Sequence, residues 1–234
     1  VHYAAEAPKC VVTKNNFTDG ERQIFSNDLE LSLLIASVDA DGSFTNLEAF
    51  PYNEVGYATG FGTLNPTGKI LYFASNRPGG HGGFDLYVSY FKEGQWTYPE
   101  NLGTKINTAG NEITPFFDGE NLYYSSDFTT GIGGFDVFKT SVGYGAWKTP
   151  ENMGNGVNSP EDDYYFVKHP EKNSFYLTSN RLGGRGSRST TSKALQKGWS
   201  KLQQTPRRKT LWPTRRQALQ QRGWKAMAKQ QRWR

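Results

Sequence analysis

The segment SNRPGGHGGFDLY at residues 75–87 returns 51 positions later as SDFTTGIGGFDVF at 126–138. The same shift superposes Leu71-Tyr72-Phe73 on Leu122-Tyr123-Tyr124, Trp96 on Trp147, PENLG at 99–103 on PENMG at 150–154, and Asn107 on Asn158. A third copy starts at 175–181 (FYLTSNR), two residues late because the chain gains residues near 169–172. A more divergent copy lies upstream, where 11–15 (VVTKN) aligns with 71–75, 33–37 (LLIAS) with 86–90, and Phe44 takes the place of Trp96. A repeat of this length calls for a supersecondary unit that buries its apolar face only against its neighbours.

Within a copy the apolar residues alternate with period two, and turn residues punctuate the pattern. In the copy at 57–103 this predicts a strand over 57–64, a turn at Asn65-Pro66-Thr67-Gly68 and a second strand over 70–75. A glycine-rich loop, a third strand over 85–91, a turn at Lys92-Glu93-Gly94 and a fourth strand around Trp96 follow. Four short antiparallel strands in about 50 residues is the arithmetic of a propeller blade. The expected fold is therefore all-β: a partial β-propeller of four-stranded antiparallel blades, about two of them complete and two partial. The expected blades are 1–50, 51–103, 104–155 and a truncated 156–184, followed by an irregular or weakly helical basic tail at 185–234. An open arc of blades predicts self-association through uncovered faces and edges.

The loop glycines Gly79, Gly80, Gly82 and Gly83, with Gly133 and Gly134 in the next copy, are expected to let the chain take positive φ and reverse where side chains would clash. Asp85 and Asp136 follow them, placed to accept hydrogen bonds from loop amides. A phosphate cradle would need the Lys-Ser/Thr of a P-loop or a following helix, and neither is present. Positions that vary on this constant frame, Arg77, His81, Phe128, Ile132 and Arg181, form the candidate partner-binding rim.

The text LYFASNRPGG at 71–80 followed by Gly-Gly-Phe-Asp resembles the TolB-type propeller repeat. More closely, residues 10–184 resemble the propeller portion of OmpA-family outer-membrane proteins of the Bacteroidetes type, with Pro51-Tyr52-Asn53, Asn101-Leu102-Gly103, Ile106-Asn107 and Asn111-Glu112 as shared features. The resemblance implies a periplasmic, outer-membrane-associated and non-catalytic propeller whose partners are envelope proteins. One subgroup of that family belongs to the type IX secretion apparatus. Peptidoglycan binding would reside in a domain absent from this chain.

Other features weigh less. A single Cys10 excludes an internal disulfide framework, and His2, His81 and His169 have no zinc-ligand spacing. No metal or cofactor is expected. Asp39-Ala40-Asp41-Gly42-Ser43 lacks the glycine and glutamate positions of an EF-hand and falls where a hairpin turn belongs. Glu161-Asp162-Asp163 reads as a solvated acidic loop. Trp96 and Trp147, at one position in consecutive copies, read as packing residues rather than ligand-stacking platforms. Asn16-Phe17-Thr18 matches a glycosylation sequon, to which no role is assigned here. No Ser-His-Asp ordering has supporting context, so the chain reads as no enzyme. A propeller gating a hydrolase or peptidase is the alternative, and it requires a catalytic domain beyond this chain.

Charge divides the chain sharply. Residues 1–184 hold 12 Lys and Arg against 22 Asp and Glu, while 185–234 hold 15 Lys and Arg and no acid. The repeat stops inside its own motif at Gly183-Gly184-Arg185-Gly186-Ser187. Beyond it stand eight Gln and four of the six Trp. A reading-frame shift near codon 186 explains the abrupt change, and a disordered basic tail is the second reading. Nucleic-acid or anionic-membrane binding through Lys, Arg and Trp is the third. The first residue is Val and no signal peptide is present, so the chain is expected to be an excerpt or a processed product.

Overall fold

A computed structural model describes residues 1–15, 17–18, 21–22, 31–128, 130–169 and 174–181. The basic tail, the sequon's Asn16, Thr129 and Leu182 lie outside the described residues. Within them the chain is all-β and contains no helix. Strands β1 (His2–Tyr3) and β2 (Lys9–Asn15) are followed by the small hairpin β3 (Phe17–Thr18) and β4 (Glu21–Arg22), then by β5 (Leu31–Val38) and β6 (Phe44–Ala49). The first sheet has the order β1-β2-β5-β6.

The second sheet holds β7 (Thr59–Leu64), β8 (Ile70–Ser75), β9 (Asp85–Lys92) and β10 (Gln95–Trp96), and β11 (Glu100–Asn101) also pairs with β9. In the third, β12 (Glu112–Phe117), β13 (Asn121–Ser126), β14 (Asp136–Gly143) and β15 (Ala146–Trp147) repeat that order, with β16 (Glu151–Asn152) on β14. Strands β17 (Asp163–Lys168) and β18 (Phe175–Ser179) pair antiparallel as the fourth. Three sheets thus present four antiparallel strands in one order, and none closes on itself.

Turn chemistry fixes the first hairpin of each copy. Asn65 Oδ1 accepts from the amides of Lys69 and Ile70 at 2.9 Å, while Gly68 takes φ 68°. Asp118 Oδ1 does the same for Glu120 and Asn121 at 3.0 and 2.7 Å, in a loop two residues shorter. The expected single fourth strand is split, because Thr97, Tyr98 and Pro99 interrupt the edge between β10 and β11 and a proline has no amide to donate.

Consecutive sheets stack face to face. Leu33, Val11, Phe50, Leu71, Phe73 and Tyr87 form the core between the first and second. Tyr72 lies 5.1 Å from Phe117 and 6.1 Å from Trp147 between the second and third. Tyr123 stacks on Phe166 at 4.7 Å between the third and fourth. The first strands also meet in series, β1 against β7, β7 against β12, and β12 against β17. Each of β7, β12 and β17 carries a bulge, and Phe61, Thr114 and Tyr165 sit there at φ 55°, 50° and 50°. The bulge amides are stitched to the sheet before: Phe61 N donates to Thr13 Oγ1 at 2.9 Å and Tyr165 N to Thr114 Oγ1 at 3.3 Å.

The upstream copy is one residue out of the expected register. Pairing of Val11 with Ile35 matches that of Tyr72 with Val88, so Val11 is the counterpart of Tyr72 and not of Leu71. A one-residue slip in a strand exchanges its two faces. Val11 accordingly packs toward the second sheet, against Leu33 and Leu71.

Candidate functional site

The strongest recurring constellation surrounds the carboxylate after the glycine-rich loop. Asp85 accepts from the amides of His81 and Gly82 and from Asn101 Nδ2 at 2.9 Å. Asn101 Oδ1 in turn accepts from Gly103 N and Asn107 Nδ2, both at 2.8 Å. Asn107 then bonds both the N–H and the C=O of Leu86, at 2.8 and 2.9 Å, as a strand backbone would. Every link returns 51 residues on. Asp136 accepts from Ile132 N, Gly133 N and Asn152 Nδ2, Asn152 from Gly154 N and Asn158 Nδ2, and Asn158 clips Val137. In the first sheet Asn53 clips Leu33 in the same way, at 2.9 and 2.8 Å.

A second clip closes the mouth of each first hairpin. Asn76 Oδ1 accepts from Ala58 N at 2.7 Å, Asp127 Oδ1 from Asn111 N at 2.7 Å, and Asn180 Oδ1 from Asp162 N at 2.8 Å. Asn111 and Asp162 also reach back to the preceding loop, accepting from Phe84 N and Phe135 N at 3.0 and 3.1 Å. Glu112 N and Asp163 N donate to the carbonyls of Phe84 and Phe135, at 2.7 and 2.8 Å. The Gly-Gly-Phe-Asp loop is thus a junction that docks one sheet onto the lead-in of the next.

This changes the reason for the glycines. Of Gly79, Gly80, Gly82 and Gly83, only Gly79 has positive φ, at 89°. The others are required by close approach. A Cβ on Gly82 would fall on the carbonyl oxygens of Thr108 and Gly110, and one on Gly133 on those of Ser159 and Glu161. A Cβ on Gly83 or Gly134 would meet the side-chain oxygen of Asn111 or Asp162, and one on Gly80 would lie 2.6 Å from the Asp85 carboxylate.

The candidate rim residues divide. His81 and Phe128 are exposed, and Ile132 projects from the second loop. Phe128 packs beside Gly110, which itself lies against Gly83, so the two loops are contiguous along one end of the sheets. Arg77 is not on this surface: it is 6% exposed. Its guanidinium lies 5.1–5.4 Å from the ring centres of Tyr57, Phe73 and Tyr87, and it donates to Tyr52 O and to Ser75 Oγ. Arg181, its counterpart, is half-buried and donates to Val157 O at 2.7 Å and to Asp163 at 2.6 Å. A cation with aromatic and carbonyl partners can sit inside, which the usual expectation of surface charge misses.

The acidic stretch at 161–163 also differs from the expected solvated loop. Asp163 is fully buried, and the Asp162 carboxylate accepts from Phe135 N and Asn180 Nδ2. Burial pushes the Asp163 carboxyl upward, but hydrogen bonds from Ser179, Arg181 and Ser159 outweigh it and hold the group below the usual carboxylate range. Glu112, in the same place one sheet earlier, has no arginine. There burial dominates and raises the carboxyl above its ordinary value, against hydrogen bonds from Thr108 and Ser126. Residues 39–43 form the hairpin turn between β5 and β6, with Gly42 at φ 82°. Among the described residues no group of three or more His, Cys, Asp or Glu is placed to hold a metal ion. No described helix is long and apolar enough to cross a membrane.

Trp96 packs on Phe91 and Phe50, at 5.3 and 6.2 Å, and borders a cleft of about 500 Å³ lined by Lys9, Ile35, Glu48 and Tyr52. A cleft of about 280 Å³ recurs beside Trp147. Strands β10 and β15, each two residues long, border these clefts. No protein-family model matches the chain, and neither does any curated protein.

Proposed function

We propose that this chain is a non-enzymatic protein-interaction scaffold of the bacterial cell envelope, its sheets being the blades of a partial β-propeller from an OmpA-family protein. The serial meeting of β1, β7, β12 and β17 supports a radial arrangement, since a propeller brings the first strand of every blade to its axis. The periplasmic and outer-membrane assignment rests on the motif resemblance at 71–85 and 99–112.

One observation carries the scaffold reading. The polar side chains that recur, Asp85, Asn101, Asn107 and their counterparts, are consumed by backbone groups and by one another, while those that differ between loops, His81, Phe128 and Ile132, lie on one contiguous rim. A constant frame with variable exposed positions is how a repeat protein distinguishes partners. The triple substitution His81→Ala, Phe128→Ser, Ile132→Ser should leave the melting temperature within about 2 °C. It should abolish cross-linking to solubilised envelope proteins that the parent chain captures. Undiminished capture, or capture of cytosolic proteins alone, would overturn the proposal.

A further inference from the structure

Each sheet has a face for the sheet before it and a face for the sheet after it, and three junctions inside the molecule show how they fit. The leading face carries an aromatic residue on the fourth strand. Trp96 pairs with Phe91, Trp147 with Val142, and Phe44 with Val38, in one register. The trailing face carries the tyrosine of the second strand, Tyr72, Tyr123 and Tyr176. Where a following sheet is present the tyrosine is covered: Tyr72 is 6% exposed and Tyr123 4%.

Two faces in the described structure have no sheet on them. On the leading face of the first sheet Phe44 is 44% exposed, with Tyr3 at 45% beside it, their rings 6.2 Å apart. On the trailing face of the fourth sheet Tyr176 is 39% exposed and Thr178 is exposed too. Burial follows the same division. Strands β8 and β13 are buried on both faces over nearly their whole length, whereas β18 alternates between half-buried and exposed residues. The two uncovered faces are therefore the two halves of a sheet-on-sheet contact that the molecule makes three times internally, and in which Tyr72 is set against the fourth-strand Trp147.

We infer that the chain associates head to tail, the trailing face of the fourth sheet in one copy packing on the leading face of the first sheet in another. Tyr176 meets Phe44 as Tyr72 meets Trp147. The interface is heterologous, so each copy offers one half of it at either end. The occupant follows from the repeat: a surface built to receive Tyr72-type faces is matched by the free Tyr72-type face of a second copy. This association uses neither His81, Phe128 nor Ile132, and the rim substitutions leave it intact.

Light scattering coupled to size exclusion tests it on the full chain across micromolar to near-millimolar concentration. The expected result is a mass rising from the 26.3 kDa monomer to at least twice that value. Phe44→Glu and Tyr176→Glu should each stay monomeric. An equimolar mixture of the two should form a heterodimer, because each variant retains the half that the other has lost. Should either variant fail to fold, judged by circular dichroism, Tyr3→Glu or Thr178→Lys replaces it on the same face. A parent chain that stays monomeric, single variants that still assemble, or a mixture that does not pair would each overturn the inference.

Discussion

Thr59, Glu112 and Asp163 occupy one position in three successive sheets, each opposite the serine that closes the second strand. Two residues after that serine stand Arg77, Phe128 and Arg181. Only the last sheet pairs a carboxylate with an arginine, and only there is the carboxyl held low. Phe128→Arg should give Glu112 the missing partner at small cost, since Phe128 is 60% exposed. The denaturation midpoint at neutral pH should rise by the equivalent of about 1–2 kcal/mol. The pH profile supplies a second check. Because the folded-state pKa of Glu112 is raised, its contribution is full below the unfolded value and is lost as pH rises through the folded one. The variant should flatten that decline, and an unchanged midpoint and slope would refute the pairing. These pairs were illegible in the sequence, because their members lie 16 to 18 residues apart and meet only once the hairpin register is known. Arg77 was misplaced for a related reason: its partners are ring faces and carbonyls, which leave no charge pattern to read.

At the scale of elements the sequence was most informative where turns are short. The β7–β8 hairpin, the loop before β9 and the turn into β10 lie where alternation and turn residues put them. Register was legible only where copies are similar. Around 11–15 two adjacent valines are followed by Thr, Lys and Asn, so apolar residues do not alternate, neither face announces itself, and the alignment slipped by one. The asparagine clips were half visible. Asn107 coincides with Asn158 at the 51-residue shift, whereas Asn53 falls outside it because the upstream copy differs in length. Asn107→Ala would strand the buried N–H of Leu86, whose C=O keeps the N–H of Leu102, costing about 1–3 kcal/mol. Hydrogen exchange should show the Leu86 amide losing protection more than that of Leu71. Equal loss at both would mean that the asparagine is not a local clip.

For the whole molecule, the repeat predicted stacked sheets, and the structure shows why the glycine-rich loop recurs: it docks each sheet onto the lead-in of the next. Composition could not reveal this, since glycine required by a neighbouring backbone looks the same as glycine required by positive φ. Stability in such a stack resides in the junctions between neighbours, so damage to one junction should stay local. Hydrogen exchange on Gly133→Ala tests this most directly, because the added Cβ meets the carbonyl oxygens of Ser159 and Glu161 on the lead-in to β17. The expected result is exchange accelerated about tenfold or more in β17 and β18, from a junction weakened by about 1–3 kcal/mol, with β2 and β5 unaffected. Acceleration confined to the loop at 131–136, or spread evenly over all the sheets, would contradict the claim that this loop holds one sheet to the next.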